Sequence, residues 1–264
     1  LLVDFDVDIY ITGSNAYLLS SELSTLLSGR YVEIKMQPLS FKEYLAFSED
    51  ISEEGLENAF NKYLEFGGLP AVVQLLEFPE AANAFLSGIY TTVIMKDVIQ
   101  RNEVRDPALL ESLIKFLASN VGRIVSYKKI SDYLTSSGRK TSSMTIENYI
   151  RMLESAYIVY RARRYDLKGK QILKTLEKFY IVDTGIRNQL TGLRNTDYGH
   201  TLENVVFFEL LRRGYVVNIG KNDSLEIDFV ATKPKEKLYI QVSASILDDS
   251  TRNRELRPLS AIHD

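Results

Sequence analysis

The sequence has no cysteine and only two histidines, His200 and His263. The first absence excludes a disulfide framework and a thiolate metal site, and the second leaves little room for histidine-based metal binding or catalysis. The longer apolar runs, such as 121–125 with Arg123 inside it, fall far short of the roughly 20 residues needed to cross a bilayer. No leader of signal-peptide type opens the chain. These absences make a soluble, cytoplasmic protein with no membrane partner the expectation. The phosphate-gripping pattern G-x-x-x-x-G-K-[ST] is also missing; Gly67-Gly68 lacks the Lys-Ser/Thr that would touch phosphate and Mg²⁺. The first residue is Leu1 rather than Met, and the opening segment reads like the inside of a domain. Residues 1–7 alternate apolar with acidic, and 9–12 read as a buried strand. A fragment of a larger protein is therefore expected.

What is present is ordinary globular composition, 45% hydrophobic and 25% charged over 264 residues. The net charge is −3, but it is unevenly spread. Residues 123–178 hold 13 lysines and arginines against 5 acids, leaving −11 on the remainder. A basic middle between acidic flanks points to a polyanionic partner, or to a solvated, salt-bridged face.

The pattern predicts a mixed α and α/β, multi-domain protein in three blocks, 1–102, 103–182 and 183–264. In the first, a strand ends at Thr12-Gly13-Ser14-Asn15, a helix covers 16–27 and stops at Gly29, and 31–36 alternate like a strand. Ser40 and Glu43 form a capping-box signature, and helices come next at 57–66, 71–76 and 79–101. The second block predicts helices at 107–120, 127–136 and 142–155, with Ser126 and Thr141 as N-caps. A strand at 157–165 and a return strand at 179–182 come after them, separated by a turn at 168–170. Three helices and a hairpin make the winged-helix order. The third block predicts a helix at 201–213 ending at Gly214 and strands at 215–219, 226–232 and 238–242, a small α/β or α+β core.

Three sets of segments carry a resemblance. The first joins Ile11-Thr12-Gly13-Ser14-Asn15, Leu27-Ser28-Gly29-Arg30-Tyr31 and Pro38-Leu39-Ser40-Phe41-Lys42-Glu43-Tyr44. The second is Phe66-Gly67-Gly68-Leu69-Pro70. The third joins Gly199-His200-Thr201-Leu202-Glu203-Asn204, Glu226-Ile227-Asp228-Phe229 and Tyr239-Ile240-Gln241-Val242-Ser243. In this order and spacing the chain resembles predicted AAA-superfamily ATPases that carry a winged helix and a C-terminal restriction-endonuclease-like domain. The resemblance implies an upstream ATPase core holding ATP and Mg²⁺, with none expected to bind this chain tightly. The first block is then the end of that core and its helical lid. It makes Ser14 and Asn15 the polar residues that orient water or sense the γ-phosphate, and Arg30 an arginine-finger-like group, acting in cis or toward another copy of the chain. The alternatives are a turn that caps the next helix and a surface salt bridge.

The winged helix is the expected DNA contact. Arg139 and Lys140 lead into the candidate recognition helix, and Thr141, Ser142, Ser143, Thr145, Asn148 and Arg151 lie near or on it. Arg161, Arg163, Arg164, Lys168 and Lys170 would line the wing. Such hydroxyl, amide and cationic groups suit phosphate and base-edge contacts. Glu226 and Asp228 share a strand face, and with Glu203 and Gln241 they form a candidate metal set. Nucleases of the Asp…Glu-x-Lys type, however, carry an acid where Gln241 stands and a Lys where Ser243 stands, so cleavage is not expected. Phe207-Phe208 and the tyrosines 157, 160 and 165 are assigned to core packing rather than base stacking. Two further readings stay open: an ATP-independent DNA-binding protein with metal-dependent nuclease activity, and a non-catalytic protein-interaction module.

Overall fold

The computed structural model describes residues 8, 10, 12–13, 32–48, 55–173, 176–192 and 198–262, with the backbone alone at 93–94. It is mixed α/β. The first described helix, α1 (Phe41–Phe47), starts as the sequence predicts: Ser40 Oγ accepts from Glu43 N at 3.1 Å, and Glu43 Oε2 accepts from Ser40 N at 2.7 Å. Next come α2 (Leu56–Phe66) and α3 (Pro70–Val73), each fixed at its N-terminus by chain geometry rather than by a side-chain cap. The long helix expected over 79–101 is continuous but not uniform. It runs as α4 (Pro79–Ile89), a π-helical stretch Tyr90–Asp97 and α5 (Val98–Arg101).

Three helices then pack together, α6 (Pro107–Ser119), α7 (Tyr127–Ser136) and α8 (Ser143–Ser155), with α6 and α8 set on a ladder. Ser126 caps α7, as expected. The cap of α8 is Ser142, one residue beyond the expected Thr141, because it is Ser142 Oγ that meets Thr145 N, at 3.2 Å. The ladder joins β1 (Val159–Ala162) to β4 (Lys178–Ile181), antiparallel, with Val159 opposite Ile181.

The strand expected over 157–165 does not continue through. It breaks at Arg163, whose carbonyl accepts from Ile219 N at 2.8 Å. Its second half becomes β2 (Arg164–Asp166), which leaves β1 and β4 to join a second, five-stranded sheet. That sheet has the order β3 (Gln171–Ile172), β2, β5 (Val216–Asn222), β6 (Leu225–Lys233), β7 (Glu236–Ile240). β2 runs parallel to β5, and the other pairings are antiparallel. Alternation in a sequence reports which face is buried, not which strand supplies the hydrogen bonds, so a change of partner is invisible to it.

Two helices unanticipated in the sequence complete the fold: α9 (Thr184–Thr191), capped by Asp183, and α11 (Asp249–Ser260), capped by Asp248. Between them α10 (Tyr198–Arg212) lies against β4, β5 and β6. Residues 32–37 form no strand, since among the described residues no segment lies beside them to complete a ladder. The helix expected at 16–27 lies outside the described residues.

One apolar core runs through all three sequence blocks, from Phe66 and Leu86 through Leu110, Ile150 and Phe179 to Phe207 and Phe229. A smaller aromatic cluster beside it joins α1 to α2, with ring centroids of Phe41, Tyr44, Phe60 and Tyr63 4.8–6.4 Å apart. Phe207 and Phe208 are core residues as expected; Phe207 stacks on Tyr180 at 4.1 Å and Phe208 meets Tyr160 edge-on at 4.9 Å. No described helix is long and apolar enough to cross a membrane.

Two backbones cross closely where α2 ends on α9. A Cβ at Gly185 would stand 2.1 Å from Phe66 O, and one at Gly67, which has φ +81°, would stand 2.1 Å from Asp183 Oδ1. Gly185→Ala should therefore cost on the order of 3 kcal/mol by overpacking. Gly88→Ala, in α4 with open space around the new methyl, should instead stabilise by up to about 1 kcal/mol through helix propensity. Urea denaturation of the two variants checks both signs; equal effects would refute the close approach.

Candidate functional site

Two regions carry chemistry. The first is built on β4, all of whose residues are buried. Alternation puts Lys178 and Tyr180 on one face of this strand, facing α10 and β6. Lys178 is 3% exposed, and its ammonium meets Glu226 Oε1 at 2.7 Å, Glu203 Oε1 at 2.9 Å and Asp228 Oδ1 at 3.2 Å. Glu203 Oε1 also accepts from Tyr180 OH at 2.8 Å. Asp228 Oδ2 accepts from Val242 N at 3.0 Å, while His200 Nδ1 lies 3.9 Å from Glu203 Oε2. Burial opposes the charge on Lys178, but Glu203, Asp228 and Glu226 outweigh it and hold its pKa above the ordinary lysine value. Burial raises Asp228, with Lys178 opposing. Burial also pushes Glu203 up, but His200, Lys178 and Tyr180 together bring it below the usual carboxylate value.

The expected metal set is therefore only partly assembled. Glu203, Glu226 and Asp228 converge, but on an ammonium rather than an open point. Gln241 does not join them: its Oε1 accepts from Asp228 N at 3.3 Å and its Nε2 donates to Glu255 at 2.9 Å. Ser243 Oγ donates to Ser245 O. Among the described residues no group of three or more histidines, aspartates and glutamates could hold a metal ion as it stands. Lys178 was not among the residues singled out in the sequence. Its signal was a charge at a core-facing position inside Phe179-Tyr180-Ile181-Val182 and its flanks.

Asn204 clamps the same strand to α10. Its side chain accepts from Ile181 N at 3.0 Å and donates to Ile181 O at 2.9 Å. Just along the chain Asp183, fully buried, accepts from Gly68 N at 2.7 Å and Ile186 N at 3.1 Å. This explains the Phe66-Gly67-Gly68-Leu69-Pro70 motif: its glycine backbone docks on a buried carboxyl, and Gly68 O accepts from Leu39 N at 2.7 Å on the other side.

The second region is the basic surface of α7, α8 and the β2 edge. Lys140, Ser142, Asn148 and Arg151 are exposed, and Arg139, Ser143 and Thr145 are half-buried. Arg151 pairs with Glu147 one turn back at 2.5 Å. On the expected wing Arg163, Lys168 and Lys170 are exposed, with Lys168 paired to Asp223 at 2.6 Å. Arg164 is half-buried on β2. Arg161 does not belong to this surface. Both carboxylate oxygens of Glu154 take it at 2.9 Å, Tyr127 OH accepts from it at 2.8 Å, and Glu177 lies at 3.5 Å. Its guanidinium is spent on joining α8, α7 and the ladder. Ser14, Asn15 and Arg30 lie outside the described residues.

Residues 57–197 match a family model described as domain of unknown function (DUF8612). The chain belongs to this family. The DUF8612 match runs from α2 past α9 and so includes Lys178 and Asp183 but not the three carboxylates. Residues 1–45 match an AAA domain, which relates that segment to AAA-type ATPases. An uncharacterized protein of Haemophilus influenzae is 48% identical over 95% of this chain and 62% of its own length. Two uncharacterized proteins of Methanocaldococcus jannaschii are 30% and 25% identical, over 97% and 90% of this chain and 59% and 56% of their own lengths. The chain thus spans about three fifths of the curated relatives it matches. No solved structure matches it.

Burial holds the Asp183 carboxyl at about 6, above the aspartate value of 3.8, against the lowering hydrogen bonds from Gly68, Ile186 and Gly185. A raised carboxyl favours folding fully below pH 3.8, and that contribution is lost as pH rises through 6. The stability of the native protein relative to Asp183→Asn should thus fall by roughly 2 kcal/mol between about pH 4 and pH 7, measured by urea denaturation at both. A difference independent of pH would refute the raised carboxyl.

Proposed function

We propose that the chain is the C-terminal part of an AAA-type ATPase, and that its basic helical surface engages DNA. The observation that carries the ATPase half lies within the AAA-matched segment. Residues 32–36 are exposed throughout, the apolar Val32, Ile34 and Met36 included; Glu33 accepts from Tyr157 OH at 3.2 Å and Lys35 lies over the Tyr157 ring at 5.9 Å. An alternating segment that turns its apolar side chains to solvent suits a strand whose sheet lies elsewhere in the protein. The longer relatives leave room for such a sheet. In this reading the preceding core holds ATP and Mg²⁺, Ser14 and Asn15 lie at the crevice, and Arg30 reaches the transferring phosphoryl group, in cis or in a neighbouring copy. ATP turnover is then expected of the longer protein and not of these 264 residues. Arg30→Ala in the longer protein should lower kcat by roughly 10³-fold; turnover unchanged by Arg30→Ala would remove it from the chemistry.

The DNA half is supported by the order of α6, α7 and α8 ahead of the β1–β4 ladder, which suits a winged helix with α8 as the reading helix. The exposed Lys140 and Arg151, with Asn148 between them, suit phosphate and base contacts, and Arg163, Lys168 and Lys170 suit a flanking backbone. Duplex DNA should bind with an affinity that falls steeply with salt. Arg139→Glu with Lys140→Glu should weaken binding by about tenfold or more and reduce the salt slope by roughly 2. Arg161→Ala should destabilise the fold and leave that slope unchanged. Absence of binding at low salt would favour a protein-contact role for this surface.

A further inference from the structure

We infer that Lys178 is the resident cation of the Glu203–Glu226–Asp228 cluster: a tethered ammonium that fills the place a divalent ion would take and locks β4 to α10 and β6. The inference is independent of whether the chain binds DNA or belongs to an ATPase.

The geometry carries it. Three carboxylates from two elements, α10 and β6, each aim one oxygen at a single point, and at that point stands Nζ of a residue from a third. The contacts to Glu226 and Glu203, at 2.7 and 2.9 Å, have the length of charge-assisted hydrogen bonds, and that to Asp228, at 3.2 Å, is within ordinary hydrogen-bond range. Three protons on an ammonium match three acceptors, so the donor inventory of Lys178 is fully used. Further donors hold the acids in place: Val242 N donates to Asp228 Oδ2, while Tyr180 OH adds a second donor to Glu203 Oε1. Nothing in this arrangement requires a diffusible ion, and an ion would have to displace a chain-linked charge that is 3% exposed. A tethered cation differs from a bound metal in one consequential way. It is always present, so the lock it forms cannot be opened by chelation or by dilution of the ion.

Replacing the ammonium should recreate the vacancy. In Lys178→Met the stem is kept and the charge removed, leaving three carboxylates around one point. Calcium, with oxygen ligands at about 2.3–2.6 Å, fits with a contraction of a few tenths of an ångström. The test is thermal unfolding with calorimetric titration of Ca²⁺ on the full chain. Native protein should show the same Tm in EDTA and in millimolar Ca²⁺. Lys178→Met should unfold roughly 10 °C lower in EDTA, recover part of that loss in Ca²⁺, and bind one Ca²⁺ with a dissociation constant on the order of 10⁻⁴ M. Lys178→Arg should remain indifferent to Ca²⁺. If Lys178→Met is too unstable to handle, a variant adding Glu226→Gln and Asp228→Asn removes the uncompensated charge. It should recover stability without metal if the ammonium acts as a counter-ion, and stay unstable if it does not. The inference is overturned if Lys178→Met folds and ignores Ca²⁺, if the neutralised variant is no more stable than Lys178→Met, or if the native protein binds Ca²⁺ in a manner abolished by Asp228→Asn.

Discussion

A lysine cannot be taken out of water without its charge being answered, and much of the architecture around β4 obeys that constraint. Desolvating an ammonium costs several kcal/mol, and a single partner repays it only in part. Lys178 has three, drawn from a helix and a strand that are remote in sequence. The cluster can form only if α10 and β6 stand in one relative position. An apolar side chain would fill the same space but would tolerate neighbouring registers; the ion cluster does not. The same strand is held a second time by Asn204, which takes both backbone groups of Ile181. β4 therefore closes the ladder of the helical region on one edge and docks the five-stranded sheet through its side chains.

Asp183 extends the joint in the other direction. It caps α9, which lies against α2, and receives the Gly68 amide. Neither contact survives a side chain at Gly67 or Gly185, so the two glycines and the carboxyl act as one device. From Lys178 to Gly185 a short stretch thus touches the helical bundle, the sheet and the segment before them. Elements within the DUF8612 match and elements beyond it, α10 and β6, converge on this portion from its two sides. It explains why one apolar core, rather than three, runs through the chain.

The fold was legible in the sequence where information is local. Capping at Ser40 and Ser126, the helix at 127–136 and the alternation of Glu226 with Asp228 each depend on a few neighbouring residues. It was not legible where partners are distant. The break at Arg163 depends on Ile219, far along the chain, and the role of Arg161 depends on Glu154 and Glu177 facing it from two sides. Helix α9 was missed because its start signal, Asp183, succeeds a strand without a break and its core side was short. Of the candidate site, the acids were legible and the cation was not: carboxylates on one strand face announce themselves by spacing, whereas a lysine within an apolar strand reads as noise until its counter-charges are placed.

The same pairing bears on the basic middle of the sequence. Arg161 and Lys178 are counted among its cations but point inward, which taken alone weakens the case for a polyanion partner. Two of its five acids, Glu154 and Glu177, are withdrawn with Arg161, and Lys178 is answered by acids from outside the stretch. Two cations and two acids of this stretch are thus taken inward, so these bonds leave its excess of eight positive charges, 13 against 5 over residues 123–178, unchanged. What changes is its location. Much of the charge that remains lies at α7, α8 and the β2 edge, with Lys140, Arg151 and Arg163 among its exposed members, and the field of this surface acts on solvent rather than on the fold.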